Sequence, residues 1–337
     1  MSHEPDRRTQ LTQDLQRVVA LAVLAPSSHN AQPWRFHIGG GFVELRADRL
    51  RALPVVDPDD RELTIACGCA LLNLRVALRA EGFDSVVTRL PSPSERSLLA
   101  RVDVRPGSPP TADERRLCEA IVTRHTAFAP YSTVTVADEI VARLGNDAAL
   151  EGVRFHALGS EAQRVALVSL VMEADHRQWS DPRFRRELAE WTRSNDSDAR
   201  DGVPGNAVGL DNVASHLARF TTRVLDKGTN TALHDRDLAD ASPLLAVLAT
   251  SGDTPLDWLC AGEGLGRVLL RAEVEGLAVA FLNPPVEVPE LRTEVDRLCG
   301  EGSTSQIALR IGYGPAGIGT PRRPVADVLD DGPAGSA

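Results

Sequence analysis

Lysine is nearly absent from this chain of 337 residues: Lys227 is the only one, and arginine carries almost all of the positive charge. We read this as codon bias before function. Acidic residues outnumber basic ones, 47 against 37, giving a formal net charge of −10, which excludes the basic footprint of a nucleic-acid binder. The five cysteines, Cys67, Cys69, Cys118, Cys260 and Cys299, are odd in number. Their spacing fits neither a disulfide framework nor a zinc ribbon. Cys67-x-Cys69 lies in an apolar helical run and reads as a pair of buried thiols. The N-terminal MSHEPDRRTQ has no apolar core of a signal peptide, and no apolar run reaches the roughly 18 residues of a membrane span. These absences predict a soluble protein of a reducing, cytoplasmic compartment, binding neither nucleic acid nor membrane.

The usual catalytic signatures are missing too. The sequence contains no P-loop, no G-x-S-x-G, no H-E-x-x-H and no S-x-x-K, and its eight histidines form no metal-spaced pair. Gly262-x-Gly264-x-Gly266 has the wrong spacing for a dinucleotide fingerprint and follows no strand, so close helix packing explains it better. Ser28 and His29 are adjacent, and neighbours in a loop rarely face each other as nucleophile and base.

What the chain does contain is an order of elements that occurs twice. An apolar helical pattern over about 9–25 leads through the loop APSSHNAQPW (25–34) into an expected hairpin, RFHI, GGG, FVELR. DPDDREL then opens a helix with Asp57 or Asp59 as candidate N-cap, apolar from about Leu63 to Leu78, and DSVVTRL and SLLARVDV follow as strands. In the second half Arg154-Phe155-His156 repeats Arg35-Phe36-His37 at an offset of 119 (154 minus 35), and Leu244–Leu248 takes the place of the second hairpin strand. AGEGLGRVLLRAEVEGL (261–277) parallels CGCALLNLRVALRAEGF (67–83) at an offset of 194 (261 minus 67), sharing Gly68/Gly262, Leu71/Leu265, Glu81/Glu275 and Gly82/Gly276. The difference between the offsets implies an insertion around 160–240, flanked in its charged part by Trp179 and Trp191. This insertion is read as a lid or as decoration. The expected division is a first half at 1–115, a second half at 116–330 and a disordered tail at 331–337.

The loop at 25–34 has two prolines, two serines and three further hydrogen-bonding side chains, more chemistry than a helix-to-strand connection needs. On composition alone it is equally a self-satisfying Pro-Ser turn or a ligand cradle. Its form A-P-S-x-x-N-x-Q-P-W, with the later EGLAVAFLNPPVEVPELR, SQIALRIGYGP and TPRRPVADVL, resembles the FMN-dependent nitroreductase superfamily over nearly the whole chain, and most closely its Acg-type branch. That resemblance implies an α+β fold, an antiparallel sheet with helices, present as two tandem degenerate copies that form an intramolecular pseudo-dimer. The chain would then be a monomer or a weak homodimer.

The resemblance also implies the ligand and its contacts. Pro26, Ser27, Ser28, Asn30 and Gln32 match the loop that faces the isoalloxazine ring and ribityl chain of FMN. Arg124 and Thr126 match an Arg-x-Thr grip on the phosphate, and Arg322 and Arg323 match a basic pair that also reaches it. Pro285 and Glu287 belong to a Pro-Val-Glu element whose backbone faces flavin N5. The ring loop occurs only in the first half and the other elements only in the second, so one FMN per chain is expected. No protein acid or base is implied, because the chemistry would be borne by the flavin. The leading reading is an oxidoreductase passing electrons from NADPH or NADH to a small-molecule acceptor, with residues 179–212 as a cover. Two others stay open: a low-turnover FMN-storing protein, and a biosynthetic dehydrogenase that uses O₂.

Overall fold

The computed structural model describes residues 4–208, 214, 218, 222 and 228–330. Its first unit begins with α1 (Glu4–Ala22), whose Leu15, Val18, Val19 and Ala22 are buried at helical spacing. The loop follows, then β1 (Trp34–Ile38) and β2 (Phe42–Ala47), paired from Trp34↔Ala47 to Ile38↔Val43. Gly41, at φ +98°, makes the turn as a residue with a side chain could not without strain. Helix α2 (Arg61–Ala80) crosses behind the hairpin, and β3 (Phe83–Arg89) and β4 (Leu98–Pro106) complete an antiparallel sheet of order β1-β2-β4-β3. Asp60 occupies the N-cap position of α2 with φ 59° and makes no side-chain cap. Asp57 does the capping work instead, accepting from the Leu63 amide at 2.8 Å.

Helix α3 (Ala112–Thr123) starts at a reciprocal Thr111–Glu114 capping box, so the division expected at 115/116 would cut a helix. The second unit comprises α4 (Asp138–Ala149), β5 (Arg154–Ala157), the inserted α5 (Glu161–Ser180), α6 (Pro182–Trp191), β6 (Thr192–Arg193), β7 (Val203–Pro204) and α7 (Gly228–Asp240), then β8 (Leu244–Thr250), α8 (Pro255–Val274), β9 (Ala278–Phe281), α9 (Pro284–Glu287), α10 (Pro289–Cys299), β10 (Thr304–Gly312) and α11 (Val325–Val328). Its antiparallel sheet has the order β5-β8-β10-β9. Position by position this is the first sheet again, with α8 in the place of α2. Each sheet also carries a bulge at the same point, the register skipping Leu99 in one and Gln306 in the other.

The two units meet where α2 crosses α8, and the crossing is reciprocal. A methyl at Gly68 would stand 2.2 Å from the Leu259 carbonyl oxygen, and one at Gly262 would stand 2.0 Å from that of Ile65. The offset between Gly68 and Gly262 equals that between Ile65 and Leu259, so each partner does to the other what is done to it, the signature of a two-fold contact. Only glycine permits backbones to approach this closely.

Two segments tie the units further. Thr126 bridges Val279 at the edge of the second sheet, and Leu329 bridges Phe36 at the edge of the first, where the Asp330 amide donates to the Phe36 carbonyl at 2.7 Å. The expected tail, 331–337, lies outside the described residues, as do 209–212 of the expected cover. Among the described residues one helix, α2, is long and apolar enough by composition to cross a membrane, although no uninterrupted apolar run shows it. It is the core helix between the sheets, and 83% of its apolar window is buried.

Candidate functional site

The loop 25–34 is held in a conformation that its residues would not choose. His29, Asn30 and Gln32 all have positive φ, at 50°, 53° and 54°. Non-glycine residues persist there only where surrounding contacts fix them. Asn30 donates to the carbonyls of Gly202 and Pro321, both at 3.0 Å, and accepts from Arg322 at 2.9 Å. Gln32, fully buried, donates to the Arg200 carbonyl at 2.7 Å and accepts from the Arg323 amide at 2.8 Å. The two amides thus join three distant parts of the chain: the loop, the insertion and the C-terminal arm.

Beside this knot lies a cavity of about 590 Å³, the size of a small-molecule or cofactor site. Pro26, Ser27, Ser28 and Asn30 line it from the loop, Arg124 and Thr126 from the end of α3, Glu287 from α9 and Arg322 from the arm. Eight of the expected site residues therefore converge across nearly 300 residues of sequence. Three do not reach the cavity: Gln32 and Arg323 are spent on the knot, and Pro285 is buried beside the cavity-lining Asn283 and Pro284. In the Pro-Val-Glu element the Glu287 amide donates to the Asn283 carbonyl at 3.2 Å within α9. The insertion supplies a wall through Trp179, Leu188, Thr192, Val203 and Gly205.

One part of the cavity is cationic. Arg124 is buried, and among the described residues its guanidinium has neither a hydrogen-bond partner nor a carboxylate in ion-pair contact. Burial pushes its pKa down from the ordinary arginine value. Arg322 donates to Thr320, Asn30 and the Leu24 and Ala25 carbonyls, yet its Nε is enclosed and unpartnered. Burial, with the charge of Arg124 next, pushes it down to about 9. Two buried guanidinium groups on one cavity, with no carboxylate in ion-pair contact among the described residues, are costly to hold, and an anion between them would offset that cost.

Another part of the cavity is acidic. Glu62, in the first turn of α2, accepts from Ser28 Oγ at 2.5 Å, from Asn283 Nδ2 at 3.2 Å and from Arg61 at 3.3 Å. Arg61 is itself buried and donates to the Gln306 and Val286 carbonyls. Glu287 accepts from Gln178 at 2.6 Å. His29 also lines the cavity, its Nε2 without a partner, and burial lowers its pKa. Sequence reading missed Glu62, Arg61, His29, Asn283 and Gln178. The DPDDREL stretch announced a helix start and hid the site carboxylate within it.

The region of the second unit corresponding to this cavity is filled. Glu263, at the Cys69 position, and Glu151, at the Gln32 position, are fully and nearly fully buried. Arg75 donates to both, at 2.5 and 2.6 Å, Arg89 to Glu263 at 2.6 Å, and Arg267 to Glu151 at 2.9 Å.

Fold and cavity together define an α+β protein with two like antiparallel sheets and an arginine-lined chamber. Two similar proteins carry the same family name. The Mycobacterium tuberculosis (strain ATCC 25618 / H37Rv) protein named "Putative NAD(P)H nitroreductase Rv3131" is 34% identical over 336 residues, covering 98% of this chain and 93% of its own. The same organism's "Putative NAD(P)H nitroreductase acg" is 30% identical over 326 residues, covering 95% and 97%. The chain belongs to the nitroreductase family. No protein-family model matches it. Among solved structures, the FMN-dependent nitroreductase NfnB from Mycobacterium smegmatis in complex with NADPH aligns with a TM-score of 0.41 at 15% identity, covering 63% of this chain and 96% of that one.

Proposed function

We propose that the chain is an FMN-dependent oxidoreductase that takes electrons from NADPH or NADH and delivers them to a small-molecule acceptor. The observation that carries this reading is Arg124, a buried guanidinium facing the cavity with no partner of its own among the described residues. Together with the unpartnered Nε of Arg322, it fits a phosphate, to which arginine donates bidentate, charge-assisted bonds. Thr126 and Thr320 line the same cavity and add hydroxyls. The relatives' names supply the nicotinamide, and FMN supplies two-electron redox chemistry when bound.

The chain's own residues bind, orient and exclude water. Arg124 and Arg322 would hold the phosphate. Pro26, Ser27, Ser28 and Asn283 would meet the polar edge of the ring, and Ile65, Ala66 and Leu265 its apolar faces. Trp179 and Leu188 of the insertion would keep bulk water out. The repeated sheet order and the reciprocal glycine crossing support the pseudo-dimeric reading. Because the equivalent region of the second unit is filled by ion pairs, each chain would hold one FMN. Division into halves then falls on either side of α3 rather than at 115/116.

The test is anaerobic mixing of the flavin-loaded protein with NADPH and, separately, NADH. Loss of the oxidised-flavin absorbance supports the enzyme. Persistence of the band with both donors supports a protein that stores FMN. Two flavins per chain after denaturation would overturn the one-site arrangement.

A further inference from the structure

We propose that Glu287 is the proton donor of the site, a neutral carboxylic acid facing the cavity, while Glu62 beside it remains a carboxylate. This rests on the oxidoreductase reading above and assigns a group to a reaction that otherwise has none.

The assignment follows from what surrounds each carboxyl. Every hydrogen-bond partner of Glu62 gives it a hydrogen. Arg61 has only donors. Asn283 Oδ1 accepts from the Ala308 amide at 3.2 Å, which fixes the side-chain amide so that its NH₂ points at Glu62. Ser28 donates as well. Glu62 also sits in the first turn of α2, where the helix favours negative charge. Glu287 has none of this support. Gln178 donates to its Oε2, among the described residues its Oε1 has no hydrogen-bond partner, and the residue lines the cavity. The charged groups facing this cluster are Asp57, Arg61 and Glu62 at the start of α2, with Arg292 of α10 beyond Arg61. Arg61 is bonded to Glu62 and not to Glu287. Two carboxyls in one enclosed space divide their roles when one environment supports charge and the other does not. Burial, then the charge of Glu62, pushes the Glu287 pKa well above the ordinary range.

The stoichiometry needs such a group. Reduction of an acceptor A to AH₂ consumes two electrons and two protons. NAD(P)H is oxidised to NAD(P)⁺ and provides both electrons and one proton. The second proton leaves Glu287: its O–H bond breaks, the electron pair stays on the carboxylate, and an O–H bond forms on the acceptor. Solvent then reprotonates Glu287.

The test compares wild type, Glu287→Gln and Glu287→Asp, all loaded with FMN, with a quinone as acceptor. At neutral pH the infrared spectrum of wild type should contain a protonated-carboxyl C=O band that is absent from Glu287→Gln. Glu287→Gln should bind one FMN as wild type does, lose about 10²- to 10⁴-fold in kcat with a smaller change in KM, and lose the fall in rate that wild type shows as pH rises. Glu287→Asp should restore part of the rate. Absence of the band in wild type, or an unchanged pH limb in Glu287→Gln, overturns the proposal and leaves the FMN reading intact. Failure of the wild type to bind FMN overturns that reading instead. The infrared band of the apoprotein then still decides the protonation of Glu287.

Discussion

The connection from α1 to β1 runs over residues 23–33, and its counterpart from α4 to β5 only over 150–153. The long connection bends away through three left-handed residues and leaves room for a ligand. The short one places Glu151 where Gln32 stands, and three arginines close on it and Glu263. One scaffold therefore has two outcomes: an open chamber with unpaired cations, and a solid contact with every cation paired. Among the described residues the cavity-lining guanidinium groups, Arg124 and Arg322, lie without a carboxylate on the open side, and that imbalance is what points to the chamber as the site.

The largest expected effect comes from breaking the filled side. Glu263→Ala removes a fully buried carboxylate, leaves the part-buried Arg75 and Arg89 with Glu151 as their remaining partner, and should destabilise the chain by about 3 kcal/mol, read as a fall in the denaturation midpoint without direct loss of an FMN contact. Next is the open side. Arg124→Ala removes one of the two unpaired guanidinium groups and should weaken FMN binding by roughly 2–3 kcal/mol, about 30- to 150-fold. Its apoprotein should be no less stable than wild type, since the lost charge had no protein partner. A clear drop in apoprotein melting temperature would show that Arg124 is a structural residue.

The crossing itself can be perturbed. Gly68→Ala places a methyl 2.2 Å from the Leu259 oxygen and should cost about 1–3 kcal/mol. Gly262→Ala should cost a similar amount if the contact is truly two-fold. A large disparity in chemical denaturation would break the symmetry argument.

A fourth effect is a pH dependence. Burial, then the charge of Glu62, raises Asp57 from 3.8 to about 6. The folded state thus binds a proton that the unfolded state releases, so this group's contribution is complete below about pH 4 and is lost as pH rises through 6. The span is worth about 2–3 kcal/mol. Asp57→Asn keeps an acceptor for the Leu63 amide and should flatten the stability profile over that range in thermal melts.

The hairpins, the central helices and the insertion were legible in the sequence, because period and turn residues report local structure. So were Arg124 and Arg322, through resemblance. The role of Gln32 was not: its polar groups look the same whether they face a ligand or the Arg200 carbonyl, and only the fold decides which. Glu62 and Glu287 were invisible as a pair because 225 positions separate them and no spacing rule spans such a distance.

The C-terminal arm has a consequence in time as well as space. The chamber needs Pro26 and Arg322 together, so a ribosome that has made the first sheet and the loop has not yet made a binding site. The loop waits, through synthesis of nearly the whole second unit, for the segment that holds it in place. Domains tend to fold as they emerge, but here the pocket closes last, and FMN would be captured by a chain already finished elsewhere.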